Sequence, residues 1–564
     1  NLPGMNYFRS GGYGTVSGIQ LRGLPKRYST VYIDGVKMSD PSSSDNSFYF
    51  SNILTSSIER VEILRGSNSS IYGSGAIGGV INIFTKKGKK REKNFNLSTG
   101  SNGTGNLDFS VEDNYGSHNY YVGVNKFNTS GISAMNDEKS TNDDDSYKSD
   151  SLIANYSYEL SENNTLKGSL RFSDSFLNYD EVTQGRTDAN NSTDDDELSY
   201  NLAFTTKKNK SNHTLSYNYT GIERATKNFS NVSKNYYGYR DSLNYLGEYN
   251  LNLDTKIVFG LDNEFDRAKF QKDWPTDYME SDEAIYSQFI DAQFRPSENL
   301  YSTIGLRRDD HTTAGAYNTG RITLAYKLDR NSKIRSSYGT GLRYPTLYDY
   351  FYGTVVTNKE ELSPEKSKSF DIGFETNFDK INTDLILSLY KIEYEDALEG
   401  WQSNSWKIKN TTAKIESEGI ELEAFYRKSK SFNVSLYYNY TDTYDGADCD
   451  DPNVGSGSCI DEAMVRVPRH SSNVNFNFNT KNNFKNIFSF KYNGEVRDYG
   501  NGNNSFKDVI LDEYVLVNYS LKHKLFNNGI LYMNIDNIFD QDYEHAFMYS
   551  SMGRNVNVGF RRTY

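Results

Sequence analysis

No stretch of the 564-residue chain approaches the run of about 18–20 apolar residues that a membrane-crossing helix needs. Basic surface is missing too. The formal net charge is −12, and no basic patch stands ready to neutralise phosphates, which argues against a nucleic-acid partner. Cys449 and Cys459 are the two cysteines of the chain, too few for a disulfide scaffold. They either staple one loop in an oxidising compartment or stand as two free loop thiols. Six histidines are scattered singly, and neither HExxH nor GxSxG occurs. The Gly-rich segment GSNSSIYGSGAIGG at residues 66–79 lacks the Lys-Ser/Thr ending of a phosphate loop. With no catalytic constellation, the chain is not read as an enzyme. No signal peptide is visible.

What is present points elsewhere. A mean hydropathy of −0.74 and a hydrophobic content of 36% suit a soluble or partly disordered chain. Yet 46 Tyr and 32 Phe are far too many for a segment that cannot build a core. The nine prolines and 43 glycines fit many turns and few breaks within strands. A large barrel with a polar interior reconciles these facts, because only alternate residues need be apolar. From about residue 90 onward, segments of roughly ten residues alternate in this way. In NVNFNFN at 473–479, Val474, Phe476 and Phe478 oppose four asparagines. At 432–440, Phe432, Val434, Leu436, Tyr438 and Tyr440 oppose Asn433, Ser435, Tyr437 and Asn439. At 420–426, Ile420, Leu422, Ala424 and Tyr426 oppose Glu421 and Glu423. A soluble sandwich also alternates, but not over so long a span without a helical segment. A barrel of about 22 strands leaves about 22 residues for each strand and its connection, and has room for a folded plug.

The first unit, residues 1–88, has a different texture and is organised around residues 58–87, IERVEILRGSNSSIYGSGAIGGVINIFTKK. Strand, glycine turns and strand imply a compact hairpin-like unit. Glu59, Arg60, Glu62 and Arg65 crowd the first strand, and such charges enter an interior only when paired. Asp34-Gly35 is a hairpin turn signal. GKKREK at 88–93 is a basic hinge, after which residues 89–564 form the barrel.

ERVEILRG and IYGSGAIGGVINIFTK, preceded by LRG at 21–23 and VYIDGV at 31–36, resemble the plug of TonB-dependent outer-membrane transporters, in the family's order. YGTGLRYPTLYDYF (338–351), LSPEKSKSFDIGFE (362–375), ESEGIELEAF (416–425), VPRH (467–470) and NIDNIFDQDYE (534–544) resemble the family's barrel signatures. So does the alternating C-terminal strand ending at Tyr564, although Arg562 departs from the usual apolar position and is expected to snorkel.

The resemblance implies an all-β membrane protein of the bacterial outer membrane, a transmembrane β-barrel of about 22 antiparallel strands holding an N-terminal plug in its lumen. Its partners would be outer-membrane lipid, the energy-transducing TonB protein of the inner membrane, and a scarce, large nutrient. The family's plug begins earlier, with a short coupling segment, the TonB box. That part is expected to be missing from residues 1–88. Ligand contacts are expected from the plug's outer loops, at Lys26, Arg27, Tyr28, Phe48 and Tyr49. The loop at 40–50 is read either as such a ligand loop or as a solvated turn with Phe48 and Phe50 packed inward. The charges Glu59, Arg60, Glu62 and Arg65 are expected to meet lumenal carboxylates, with Glu365 and Glu421 as candidates.

Acidic loops carry Asp143, Asp145, Asp180, Asp194, Asp196 and Asp241. These resemble the calcium-binding loops of the family's cobalamin receptors, and calcium needs several oxygens to converge. The alternative is a set of solvated loops that keep the outer surface soluble. No other cofactor is expected. A corrinoid such as cobalamin is the leading ligand and a ferric siderophore the second. Haem is disfavoured, since no histidine lies between Arg343-Tyr344-Pro345 and Leu362-Ser363-Pro364, where haem receptors of the family carry one. Readings of other classes are a binding-only capture barrel or adhesin, and a soluble all-β enzyme or propeller. Heat-modifiable gel mobility would exclude the last.

Overall fold

The computed structural model describes residues 2–564 apart from 47, 137–143, 181–190, 229–231, 272–277, 352–361, 401–407, 411–413, 447–462, 481–482, 503–504 and 527. Asp143, Cys449 and Cys459 therefore lie outside the described residues.

Twenty-two antiparallel strands close into a barrel. Each pairs with its neighbour in sequence, and closure comes from the last strand, Asn555–Thr563, pairing with the first, Glu92–Gly100, at Phe560 and Leu97. Closure leaves no barrel-strand edge unpaired, as hydrocarbon demands. Alternation produces two surfaces. Along Asn191–Lys208, Leu198, Leu202 and Phe204 are 39–57% exposed while Glu197 and Ser199 are buried. The exposed parity faces lipid and the buried parity faces the lumen. At one rim the strands join through turns of two to four residues; at the other, connections such as 396–414 and 537–554 are long. Short turns mark the periplasmic end and long loops the outer end. At the short-turn rim the Arg562 guanidinium lies 4.3 Å from the Tyr564 ring centroid and 5.8 Å from that of Phe526.

The lumen is filled by the N-terminal unit. Strands β1 (Met5–Arg9) and β2 (Ser17–Leu21) form a small hairpin. Strands β3 (Ser29–Ile33), β4 (Val36–Lys37), β5 (Ile58–Arg65) and β6 (Gly79–Thr85) form a sheet in the order β4-β3-β6-β5. The β3–β4 turn has both central residues at positive φ, Asp34 at 53° and Gly35 at 88°, which is why Asp-Gly stands there. The core joins Leu21, Val31, Ile33, Met38, Phe48, Ile81 and Ile83. A short helix, α1 (Ser69–Tyr72), sits between β5 and β6. The plug sheet ends at Thr85 and the barrel begins at Glu92.

Gly79 marks a close approach. A Cβ there would lie 2.3 Å from the Leu64 carbonyl oxygen and 2.6 Å from Leu21 Cδ1. Gly79→Ala is expected to unpair β5 from β6 and cost the plug roughly 1–3 kcal/mol. A urea titration of the plug reads this, and an unchanged midpoint would contradict it.

Candidate functional site: the plug and its attachments to the barrel wall

Two buried carboxylates on the lumen wall organise the attachments. The first is Glu421, 1% exposed, on the strand Ile415–Ser429. It receives two guanidinium groups from the plug. Arg22 is bidentate, with Nε and NH2 donating to its two oxygens at 3.0 and 3.3 Å. Arg65 NH1 donates at 3.1 Å, and its NH2 lies 3.6 Å from Glu423. Arg22 also stacks over Tyr390 at 4.4 Å and stands 3.9 Å from Asp371. Its backbone is left-handed, with φ of 53°. That conformation is costly for a residue with a Cβ and is held here by the side chain's own partners. Burial opposes the Arg22 charge, but Glu421 more than offsets this and holds its pKa above the ordinary arginine value.

The second is Glu365, fully buried on Glu365–Phe378. Its oxygens accept from Arg343 NH1 at 2.6 Å, Tyr28 OH at 2.7 Å and the Leu398 backbone N–H at 2.9 Å, and Arg27 stands 3.9 Å away. It therefore ties the plug to the bases of two outer connections.

The structure corrects part of the expected pairing. Of the four charges on β5, Arg65 alone, at the strand's end, reaches the wall carboxylates. Glu59 pairs with Lys89 at 2.6 Å, and Arg60 with Glu62 at 2.6 Å, both half exposed. The cause is position: β5 is the edge strand of the plug sheet, and its residues 59–62 are exposed. Glu365 accordingly meets Arg27 and Tyr28, not the β5 charges.

Among the expected ligand contacts, Tyr28 and Phe48 are corrected as well. Tyr28 is fully buried, tilted against Tyr394 at 4.9 Å. Phe48 packs on Phe50 at 5.1 Å in the plug core, so the inward reading of that aromatic pair holds. Lys26, Arg27 and Tyr49 remain partly accessible. Lys26 bonds Asp45 at 2.9 Å and lies 4.4 Å over the Tyr49 ring. Burial works against the Lys26 ammonium, but Asp45 and Tyr49 raise its pKa above the usual lysine value. Sequence reasoning passed over Arg224, which reaches down from the wall to Asp40 at 3.2 Å beside Tyr236.

Among the described residues the aspartates fall into two groups. Asp194 and Asp196 share the outward parity of Leu198. Asp241 also faces outward, bonded by Tyr217 and by Arg267 at 3.2 Å. Asp145 and Asp180 are buried, accepting from the backbone N–H of Ala134 at 2.7 Å and Met135 at 3.2 Å. Among the described residues no three acidic, His or Cys groups stand close enough to hold a metal. Strand alternation turns Asp194, Asp196 and Asp241 away from the buried Asp145.

The family models agree with this architecture. Residues 72–538 match the TonB dependent receptor-like β-barrel and residues 1–80 the TonB-dependent receptor plug domain. The chain belongs to the TonB-dependent receptors. Its relatives include proteins named vitamin B12 transporter BtuB. That of Photobacterium profundum is 25% identical over 563 residues, covering 98% of this chain and 87% of the relative. That of Vibrio vulnificus is 24% identical over 576 residues, covering 100% and 87%. Similar solved structures include the ferric enterobactin receptor PfeA of Pseudomonas aeruginosa with enterobactin, with a TM-score of 0.84 at 16% identity, covering 100% of this chain and 96% of that one. The siderophore receptor PirA of Acinetobacter baumannii gives 0.81 at 16% identity, covering 100% and 95%. The receptor is thus an outer-membrane protein of a transporter family, not of an enzyme family.

One connection at the receptor's outer rim carries a titratable group. His545, in the 537–554 connection, packs edge-on against Tyr7 of the plug at 6.1 Å and Tyr543 at 5.2 Å. Burial, then the Lys491 and Arg9 charges, push its pKa down to about 3. An unfolded chain protonates this imidazole near pH 6.5, whereas the docked one stays neutral. Docking is therefore fully stable above about pH 6.5 and weakens as pH falls toward 3, by roughly 2–3 kcal/mol at pH 4.5. His545→Gln is expected to remove this loss, read as the difference in melting temperature between pH 7 and pH 4.5. An equal pH dependence in both proteins would contradict it.

Proposed function

We propose that this receptor takes up a corrinoid such as cobalamin from outside the cell, and that TonB at the inner membrane supplies the energy for import. Similarity along nearly the whole chain to proteins named vitamin B12 transporters carries the ligand assignment. The plug's mode of attachment supports the energised step. Arg22 and Arg65 are held by hydrogen-bonded ion pairs, and Arg27 faces Glu365 at 3.9 Å; water can substitute for these partners once the plug is pulled. Apolar contact with the wall is also present, where Leu24, Tyr28 and Ile77 of the plug cluster with Tyr390, Ile392 and Tyr394. Ligand seated over Lys26, Arg27 and Tyr49 would bias the plug by its differential affinity for two plug states.

A ferric siderophore is the second reading. It is favoured by the structural likeness to receptors solved with or named for siderophores and by the cationic and tyrosine side chains at the plug's outer face. Titration of the purified receptor with cobalamin and with ferric siderophores separates the two. Each titration is run with and without calcium, since Asp143 lies outside the described residues. Saturable cobalamin binding is expected. Failure of cobalamin under both conditions, with a siderophore binding, would overturn the corrinoid assignment.

A further inference from the structure

The short-turn rim of the barrel carries a positive sector that no single window of the sequence contains. It is built from three successive connections at that rim, 430–431, 480–483 and 527–528, and from the end of the last strand, Asn555–Thr563. Residues 424–434, 476–486, 519–531 and 555–564 hold no Asp or Glu. Their cations include Lys428, Lys430, Lys485, Lys522, Arg561 and Arg562, all exposed. Barrel closure then sets Lys93, from the basic hinge, beside the chain end: the backbones of Lys93 and Tyr564 exchange hydrogen bonds at 3.2 and 2.8 Å. A chain of net charge −12 thus gathers unopposed positive charge at its periplasmic edge.

Other cations of this rim stand beside carboxylates. Lys256 meets Glu248, Arg295 meets Asp254 and Lys333 meets Glu375, each at 2.8 Å. Within the hinge, Lys89 and Lys90 pair with Glu59 and Glu92 at 2.6 Å. Lys93, Lys428, Lys430 and Arg562 have no carboxylate partner among the described residues. Lys485 and Lys522 stand directly opposite each other in the strand register, where like charges cost stability. Lys93, Lys428 and Arg562 share the parity of the exposed Leu97, Tyr426 and Val558, so they point to the lipid side. The Arg562 guanidinium lies between the Tyr564 and Phe526 rings, at 4.3 and 5.8 Å from their centroids. Rings in such girdles mark the membrane–water interface, and Lys and Arg stems run along apolar surface while their charged heads reach the polar layer.

We propose that this sector is a docking surface for the headgroup phosphates of anionic phospholipids in the periplasmic leaflet. Charge complementarity carries the choice of partner. The cations sit at headgroup depth, lack carboxylates of their own, and flank turns with no acidic residue to repel a phosphate. Attraction of this kind acts within a Debye length, about 8 Å at physiological salt. Phosphatidylglycerol has the required chemistry, a headgroup phosphate with no cation to neutralise it. The surface does not depend on which cargo the receptor carries.

The test uses purified receptor in phosphatidylcholine vesicles that hold a trace of spin-labelled phosphatidylglycerol or spin-labelled phosphatidylcholine. The motionally restricted fraction of each label measures its preference for the barrel surface. Phosphatidylglycerol is expected to be preferred at least about threefold at low salt, and the preference to vanish near 1 M salt, where the Debye length is about 3 Å. Lys93→Gln, Lys428→Gln, Lys430→Gln and Arg562→Gln together are expected to lower the preference at least about twofold. Lys428→Gln with Lys430→Gln leaves the closing strand untouched and is expected to remove part of it, even where the fourfold variant fails to assemble. Removing two rim ion pairs whole, Lys256→Gln with Glu248→Gln and Arg295→Gln with Asp254→Asn, is expected to leave it unchanged. No preference in the unaltered receptor overturns the proposal, as does a preference that survives the loss of Lys428 and Lys430 or falls equally when the two ion pairs are removed. Loss of the preference on adding inorganic phosphate at matched ionic strength also overturns it, by marking a site for a soluble anion.

Discussion

Glu421→Ala is expected to loosen the plug more than any single change on the plug itself. The substitution leaves Arg22, 2% exposed, with Asp371 at 3.9 Å and Arg65 with Glu423 at 3.6 Å, neither within hydrogen-bonding distance. Breaking a buried pair from one side leaves an uncompensated charge, worth about 3–5 kcal/mol. Arg65→Ala removes a more accessible partner and leaves the bidentate Arg22 contact intact, so about 1 kcal/mol is expected there. The measurement is the urea midpoint for plug unfolding, or the rate of plug cleavage by added protease. Arg22→Met in the Glu421→Ala background is expected to recover part of the loss, because the orphaned charge is gone. Equal midpoints for wild type and Glu421→Ala would show that the ion pairs do not hold the plug.

Glu365→Ala has the second large effect, and it falls on the outer face. One carboxylate there satisfies Arg343, Tyr28 and the Leu398 N–H, and faces Arg27. Its loss leaves several buried donors unpaired, at about 1–3 kcal/mol for each neutral donor and more for the guanidinium. The connections that start after Arg343 and before Leu398 lose their common anchor to the plug. Ligand affinity is therefore expected to fall at least tenfold while the barrel keeps its heat-modifiable mobility. Glu365→Gln, which retains an acceptor, should fall between the two. Unchanged affinity in Glu365→Ala would detach this carboxylate from ligand capture.

The barrel was legible because its physics is periodic. Val474, Phe476 and Phe478 against the intervening asparagines predict a two-faced strand, and the chain length accommodates about 22 of them, the number the family resemblance implies. Asp34-Gly35 was legible as a turn for the same local reason. The attachments were less so. Arg65 and Glu421 could be named because both sit in charge-dense motifs. Arg22 lies in the short LRG, and only the fold brings it to Glu421, 399 residues away. Glu59, Arg60 and Glu62 look like candidates in sequence, but sheet order places them on an exposed edge. The aspartates show the same limit. Their clustering in sequence is real, yet alternation turns Asp194, Asp196 and Asp241 away from the buried Asp145. Tyr28 and Phe48 occupy segments that could as well have been open loops; burial against Tyr394 and Phe50 depends on contacts that local pattern does not encode.

The central claim is a plugged barrel that moves cargo inward when energised. The most direct measurement is accumulation of labelled cobalamin by outer-membrane-receptor-deficient cells carrying the native protein, with TonB intact and with TonB deleted. Surface binding in both strains, with accumulation confined to the TonB-intact one, is the expected result. Binding without accumulation in either strain, for cobalamin and for ferric siderophores alike, would make this a capture barrel and contradict the claim.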